Sequence, residues 1–444
     1  MANKTLSFRQ IFNLNFGFFG VQIAYALQSA NISRIFATLG ADPHQLSFFW
    51  ILPPLMGMIV QPLIGKWSDK TWCRLGRRKP YLLVGALIAV LVMLLLPNAG
   101  SLNLSKAYVF LGLNSAMWFG LFSLIFLDTS INVAMQPFKM MVGDMVSEEQ
   151  KAQAYSTQSF LCNAGSLFGY LFPIFFTWIG ISNTAPEGVV PDSVIWSFYC
   201  GAAILILCVL YTCFNVKEMN PKEYAEFHGI SEQTSDSKKD NPGFIKLLAK
   251  APKTFWTVSL VQFFCWAAFL FLWTYTNGAI ADTCWGTSDV TSAEYQAAGN
   301  WVGVLFAVEA IGAMLWAIVI PKFKTLRLAY VVSLILGAAG FASVFVFHNQ
   351  YLLFISFLLI GVCWGAVLSI PFTFVTNALS GDHIGTYLGL FNCAICLPQI
   401  VAAATGGGIL KLIGGSQAAM FLVAAVLLLC GALAVGLIEE RKNN

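Results

Sequence analysis

SKAYVFLGLNSAMWFGLFSLIFLDTSINVAMQPFKMMVGDM, residues 105–145, is the stretch on which the topology turns. It holds about 40 residues with few polar breaks, too many for one crossing of a roughly 30 Å hydrocarbon core. The basic residues decide whether it crosses once or twice. With one crossing, Lys66, Lys70, Arg74, Arg77, Arg78 and Lys79 share a side with Lys217 through Lys253, Lys322, Lys324, Arg327, Arg441 and Lys442. Of the 25 basic residues, only Arg34, Lys106 and Lys411 then fall at the other ends, with Lys139 inside the membrane. Two crossings would put the two largest basic loops on opposite faces. Positive charge collects on the cytoplasmic side. One span is therefore assigned, residues 98–114 become an outer hairpin, and both termini are expected in the cytoplasm.

The rest of the chain agrees with a polytopic membrane protein. Its 444 residues are 58% hydrophobic and 10% charged, against about a quarter charged in soluble domains. Apolar runs fall near 10–36, 45–65, 80–97, 115–142, 153–180, 193–214, 254–280, 296–320, 327–347, 351–378, 384–412 and 417–438, which makes twelve spans. A hydrophilic linker over 215–253 separates an N-terminal six-helix bundle, 1–214, from a C-terminal one, 254–444. The net charge of +4 reflects this topology rather than a nucleic-acid partner. Eleven cysteines, an odd number sitting mostly in apolar segments, imply no disulfide framework. Pro137-Phe138 in span four and Pro371-Phe372 in span ten head similar downstream patterns, so the halves read as a duplication. The expected fold is all-α, with twelve transmembrane helices in two pseudo-symmetric bundles and a site near the midplane.

Within span four stand Asp128, Asn132, Gln136 and Lys139. At 100° per residue, Asp128 and Lys139 return to within about 20° of one direction, so they share a helix face. A charge at the bilayer centre costs roughly 2.5–3.5 kcal/mol and marks an ion, proton or substrate path. Asp128 is the candidate proton-coupling group, because a midplane carboxyl exchanges its proton according to whether its cavity is dry or wet. The bland alternative is a permanently neutral acid. Lys139 lies about 16 Å along the axis from it, so they are not a direct pair. Lys139 is left either to pair with Asp144 or to extend to the interface. Glu309 in span eight is the second candidate coupling carboxylate. It is open to binding hydroxyls, carrying its own proton or pairing with Lys139.

Between spans two and three stands GKWSDKTWCRLGRRKP, residues 65–80, which resembles the loop of the major facilitator superfamily. Gly65 would permit close helix approach, and Gly76 belongs to the same motif. Asp69 could pair with Arg77 or cap a neighbouring helix, and Arg74, Arg77 and Arg78 would complete a conformational latch. The corresponding PKFK at 321–324 is degenerate, so the two latches should be unequal. Further motifs sharpen the likeness: LGADPH at 39–44, SFFWILPP at 47–54, VQPLIG at 60–65, LDTSINVAMQP at 127–137, SIPF at 369–372 and LGLFNCAICLPQ at 388–399. Together they resemble the plant sucrose-proton symporters and their relatives in the glycoside-pentoside-hexuronide:cation symporter group.

That resemblance implies that Asp128 is the proton-binding group and that His44 affects sugar handling. Lys139 stands where plant members carry arginine, and a point charge makes looser contacts than a planar guanidinium. WTYTN at 273–277 lacks the aspartate the plant pattern has there. A sugar needs aromatic faces for its CH surfaces and polar groups for its hydroxyls. Tyr25, Gln28, Asn132, Gln136, Lys139, Asn163, Trp266, Trp273, Trp364, Asn377, Asn392 and Gln399 are the candidates, with Asn163, Asn392 and Gln399 aligned to the family pattern. Ser159, Asn163, Ser166 and Tyr170 recur at helical spacing as one polar stripe.

An intramembrane enzyme fits poorly, because the four histidines lie in loops or helix ends and no zinc or phosphate-loop spacing is present. The expectation is a secondary carrier, not an enzyme. It imports a maltose- or sucrose-like glycoside with H⁺, needs no cofactor beyond the proton gradient, and sits as a multi-pass monomer in the inner membrane. The alternatives are an uncoupled facilitator or a Na⁺-coupled symporter.

Overall fold

A computed structural model describes residues 5–102, 109–110, 113–227, 248–378 and 384–439. In chain order its helices are α1 Phe8–Thr38, α2 Pro43–Phe49, α3 Leu52–Lys70, α4 Lys79–Leu95, α5 Ser115–Met145, α6 Glu148–Trp178, α7 Asp192–Asn215 and α8 Pro221–Phe227. There follow α9 Lys253–Trp285, α10 Ala293–Val319, α11 Leu326–Val346, α12 Leu353–Ala378, α13 Ile384–Leu412 and α14 Ala419–Val435. Apart from short α2 and α8, these make twelve long helices among the described residues. Among the described residues nine helices are long and apolar enough to cross a membrane, and α14 is apolar but shorter.

The exceptions have physical reasons. α1 buries Asn13, Asn15, Gln22, Gln28, Asn31 and Arg34, which a helix can do when protein rather than lipid surrounds it. α3 carries Lys66, Asp69 and Lys70 at its end. The single span expected over 45–65 is broken into α2 and α3, because Pro53 and Pro54 cannot supply the N–H groups that would continue α2 and instead occupy the first turn of α3.

The segment at 105–145 crosses once. Before it, Val109–Phe110 pairs antiparallel with Leu113–Asn114, and the Asn114 side chain accepts from Met117 N at 2.8 Å to cap α5. This antiparallel pair is what is described of the outer hairpin's second part; 103–108 and 111–112 lie outside the described residues. Of the linker, 228–247 lies outside them too. Its first part carries α8.

Packing repeats between the halves. α1 packs on α5, α6 and α7, as α9 does on α12, α13 and α14; α4 packs on α5 and α7, as α11 does on α12 and α14; and α3·α5 matches α10·α12. Across the halves α6 meets α10 while α2 and α3 meet α13, a swapped pair that a two-fold relation requires. Close helix approach within the first half occurs at Gly165, where an added Cβ would stand 2.3 Å from Phe19 O, and at Gly85, where it would stand 2.7 Å from Ala134 N. Gly65, expected to permit close approach, has only Met140 at 4.0 Å. Leu6 before α1, the Thr71–Arg78 loop and Glu439 after α14 lie at the helix ends of one face, called here the terminal face; the opposite face is distal.

Candidate functional site

The buried Asp128 carboxyl is held by a neutral group. Asp128 is 2% exposed, and its Oδ1 accepts a hydrogen bond from the Gln28 amide. Its Oδ2 is buried without a partner, as is Gln28 Oε1. Asn132 Nδ2 donates to the Asp128 carbonyl at 2.8 Å, and Asn132 Oδ1 accepts from Gln61 at 2.7 Å. Among the described residues no cation pairs with Asp128. A buried carboxyl with one free oxygen is equipped to hold a proton or to take a hydroxyl donor from a ligand.

Lys139 is exposed and within electrostatic reach of Cys162 on α6 and Cys396 on α13, so it faces the space between the halves. It does not pair with Asp144, which Arg78 Nε holds at 2.7 Å. Nor does it pair with Glu309 among the described residues. Glu309 is 6% exposed, with its backbone pressed by Gly361 and Tyr170 of the other half nearby. Tyr25, 38% exposed, stands close to Asp128, Cys162 and Cys396. Gln136 is half-buried.

Three of the sugar candidates converge. Trp364 lies edge-on to Trp266 at 5.4 Å and to Trp273 at 5.7 Å between centroids, and Phe269 packs on it at 4.8 Å. Trp50 from the other half stacks on Trp273 at 6.2 Å. Trp266 is 8% exposed, yet its indole N–H has no partner. An apolar box with one unspent donor matches the amphipathic surface of a small polar ligand. Trp364→Ala is expected to raise the half-saturating concentration of the transported ligand about tenfold, roughly one lost aromatic contact, as read by concentration-dependent uptake.

The remaining candidates contribute less. Asn163 Nδ2 donates to Ser159 O at 2.9 Å and Gln399 Nε2 to Ile395 O at 2.9 Å, each within its own helix. Asn392 is half-buried, its amide near Cys396 Sγ at 3.8 Å. The Asn377 side chain lies outside the described residues. His44 is in α2, where its Nδ1 lies 3.4 Å from Gly407 O. It therefore belongs to a helix seam on the distal side rather than to the aromatic box.

At the terminal face the basic loop is folded into a network. Asp69 meets Arg77 at 2.5 Å and Arg78 at 2.8 Å, and Arg78 also donates to Ser68 Oγ. Arg74 is exposed outside it. Glu218, which sequence reasoning did not single out, accepts from the backbone N–H of Arg77 at 2.7 Å, Arg78 at 2.9 Å and Lys79 at 2.8 Å. It caps the positive end of α4. Gly76, at φ 115°, is needed there because a Cβ would stand 2.6 Å from the Glu218 carboxyl. Arg77 lies over the Tyr224 ring at 4.7 Å. The signal for Glu218 was its place directly after span six. Glu218→Ala is expected to cost about 1–3 kcal/mol, as a lower melting temperature of the purified protein.

The second half has a weaker counterpart in Lys253–Glu439 at 2.6 Å, with both groups exposed.

The distal face is sealed between the halves. Arg34, 0% exposed, donates to Gln296 Oε1 at 2.7 Å, Asn300 Oδ1 at 2.9 Å, Asn183 Oδ1 at 2.9 Å and Gln296 O at 3.1 Å. Ser33 Oγ donates to Trp273 O at 3.2 Å, and Gly407 N to Ser47 Oγ at 3.1 Å. Backbones touch at Gly303 against Tyr170 and at Gly407 against His44, where a Cβ would stand 2.1 Å from each carbonyl oxygen. These hydrogen bonds between the halves cluster at the distal face. Sequence reasoning treated Arg34 only as a charge at a helix end; Gln296 and Asn300, four apart on α10, were the overlooked signal.

A sequence profile described as Major Facilitator Superfamily matches residues 14–283 and 279–444. The human Proton-associated sugar transporter A is 28% identical over 165 residues, 37% of this chain and 22% of that protein. The chain thus spans about a fifth of that relative's length. The Sucrose transport protein SUT5 of Oryza sativa subsp. indica is 24% identical over 487 residues, 97% of this chain and 88% of its own. Among solved structures, the nucleoside transporter NupG superposes with a TM-score of 0.70 at 13% identity, covering 97% of this chain and 100% of its own.

Proposed function

The chain belongs to the Major Facilitator Superfamily, and on that premise we propose that it is a proton-coupled sugar carrier. It moves a maltose- or sucrose-like glycoside inward by alternating access. The observation that carries this reading is the buried Asp128 carboxyl with a free oxygen, held by Gln28 of α1 in a fold whose halves also build a tryptophan box. The names of the curated relatives, which speak of sucrose and of proton-associated sugar transport, support the same ligand class. With the termini in the cytoplasm of the cell membrane, the arrangement described is closed outside and corresponds to the inward-facing half of the cycle.

In this reading Trp266, Trp273 and Trp364 receive the CH faces of the sugar rings, while Gln28, Asn132 and Gln136 meet hydroxyls. Asp128 takes a proton when its cavity opens to the acidic side and releases it when the cavity opens inward. Uptake of labelled di- and monosaccharides into proteoliposomes, with a pH gradient, a Na⁺ gradient or neither, tests it. Disaccharide accumulation driven by the pH gradient alone is expected. Accumulation driven only by Na⁺, equilibration indifferent to both gradients, or no sugar transport at all would each overturn it.

A further inference from the structure

The distal face contains a cavity of about 240 Å³ on the far side of the Arg34 seal, separate from the tryptophan box. Its two walls come from different halves. Pro43 and Leu46 with two alanines make one wall apolar, whereas Gly278, Asp282, Tyr295 and Gln417 make the other polar. Gln417 Oε1 is buried without a partner. Gly278 has a specific use here, because an added Cβ would stand 2.3 Å from the Gln417 amide; only glycine lets that amide lie across the cavity wall. Behind Tyr295, which is 5% exposed, are the Arg34 guanidinium and the Asn277 amide. The cavity is thus built on the groups that seal the halves.

We propose that this cavity is a second ligand site, taking a single neutral hexose ring at the distal face. The ligand class follows from the walls. A pyranose presents a CH face to apolar carbon and an edge of hydroxyls to a carboxylate, an amide and a phenol, and the volume admits one ring but crowds a disaccharide. Because the walls belong to different halves, the site exists only while the distal side is closed. Its occupant therefore stabilises that state and slows the return of the empty carrier, without competing for the tryptophan box. The hexose assignment rests on the sugar-carrier reading; the cavity itself does not.

Calorimetric titration of the purified full-length protein in detergent with D-glucose tests the site. The comparison set is the unaltered chain, Gln417→Leu, Asp282→Asn, Gly278→Leu and the tryptophan-box variant Trp364→Ala. Glucose is expected to bind the unaltered chain and Trp364→Ala alike. Gln417→Leu and Asp282→Asn should each weaken it about tenfold, the loss of one hydrogen bond to a buried or charged partner, and Gly278→Leu should abolish it. The conservative pair keeps the test meaningful if Gly278→Leu does not fold. Glucose binding lost in Trp364→Ala and retained in Gln417→Leu would overturn the proposal, as would no glucose binding to a protein that transports disaccharide. Tight binding of tetramethylammonium in place of glucose would also overturn it. Failure of all sugar transport with glucose still bound at the distal cavity would instead sink the carrier reading and leave this site standing.

Discussion

Asp128→Asn is expected to end uphill accumulation while leaving exchange of sugar for sugar within about threefold of the unaltered protein, because a neutral amide of equal size keeps the Gln28 contact. The argument begins with geometry. One carboxyl oxygen is committed to the Gln28 amide, and the other is buried without a partner. Asparagine can reproduce the first contact but cannot gain or lose a proton. A gradient of one pH unit is worth 1.36 kcal/mol, so a carrier moving one proton per sugar reaches about tenfold accumulation. The variant should reach none, an internal-to-external ratio of about one. Proteoliposome uptake with an imposed pH gradient and counterflow without one measure the two quantities. If Asp128→Asn still concentrates sugar tenfold, Asp128 is not the coupling group, and Glu309→Gln becomes the informative variant.

How much of this was readable from residues alone varies by level. The twelve long helices followed from run lengths, because hydrophobic thickness is a one-dimensional property, whereas the sidedness drawn from where Lys and Arg fall is an expectation. The break between α2 and α3 was legible in principle from Pro53-Pro54, yet the continuous hydropathy over 45–65 concealed it. Side-chain partnership was the hard part. Lys139 and Asp144 share one helix and invite pairing, but Arg78 from the α3–α4 loop reaches Asp144 first. Glu218 caps α4 across 140 positions of sequence, a contact no local pattern encodes. The tryptophans fared better, since three large aromatics in spans seven and ten must go somewhere. Still, their meeting with Trp50 depends on how the halves lean together.

Arg34→Lys is expected to open the distal seal, and more so than its conservative chemistry suggests. The guanidinium is fully buried and makes four hydrogen bonds, all to neutral oxygens. With no anion among the described residues paired to it to offset its desolvation, its burial is favourable only because the planar fork engages several acceptors at once. A lysine ammonium at the same place is more strongly hydrated and cannot span acceptors on Asn183, Gln296 and Asn300 together. Losing two of the four bonds costs about 3 kcal/mol, which shifts the balance of distal-closed to distal-open forms by roughly two orders of magnitude.

Spin labels at Glu187 and Glu294, exposed positions in distal segments of the two halves, should report a longer distance in the variant. An unchanged distance distribution would show that the backbone contacts at Gly303 and Gly407 hold the seal alone. The consequence for coupling follows from the helix that carries the residue. Gln28 and Arg34 sit on α1 about 9 Å apart along its axis, one bonded to Asp128 and the other to the opposite half. Movement of α1 that breaks the seal therefore disturbs the Gln28 contact and wets the carboxyl. Arg34→Lys should accordingly move the pH dependence of exchange as well as the label distance, a readout that a defect in packing alone would leave in place.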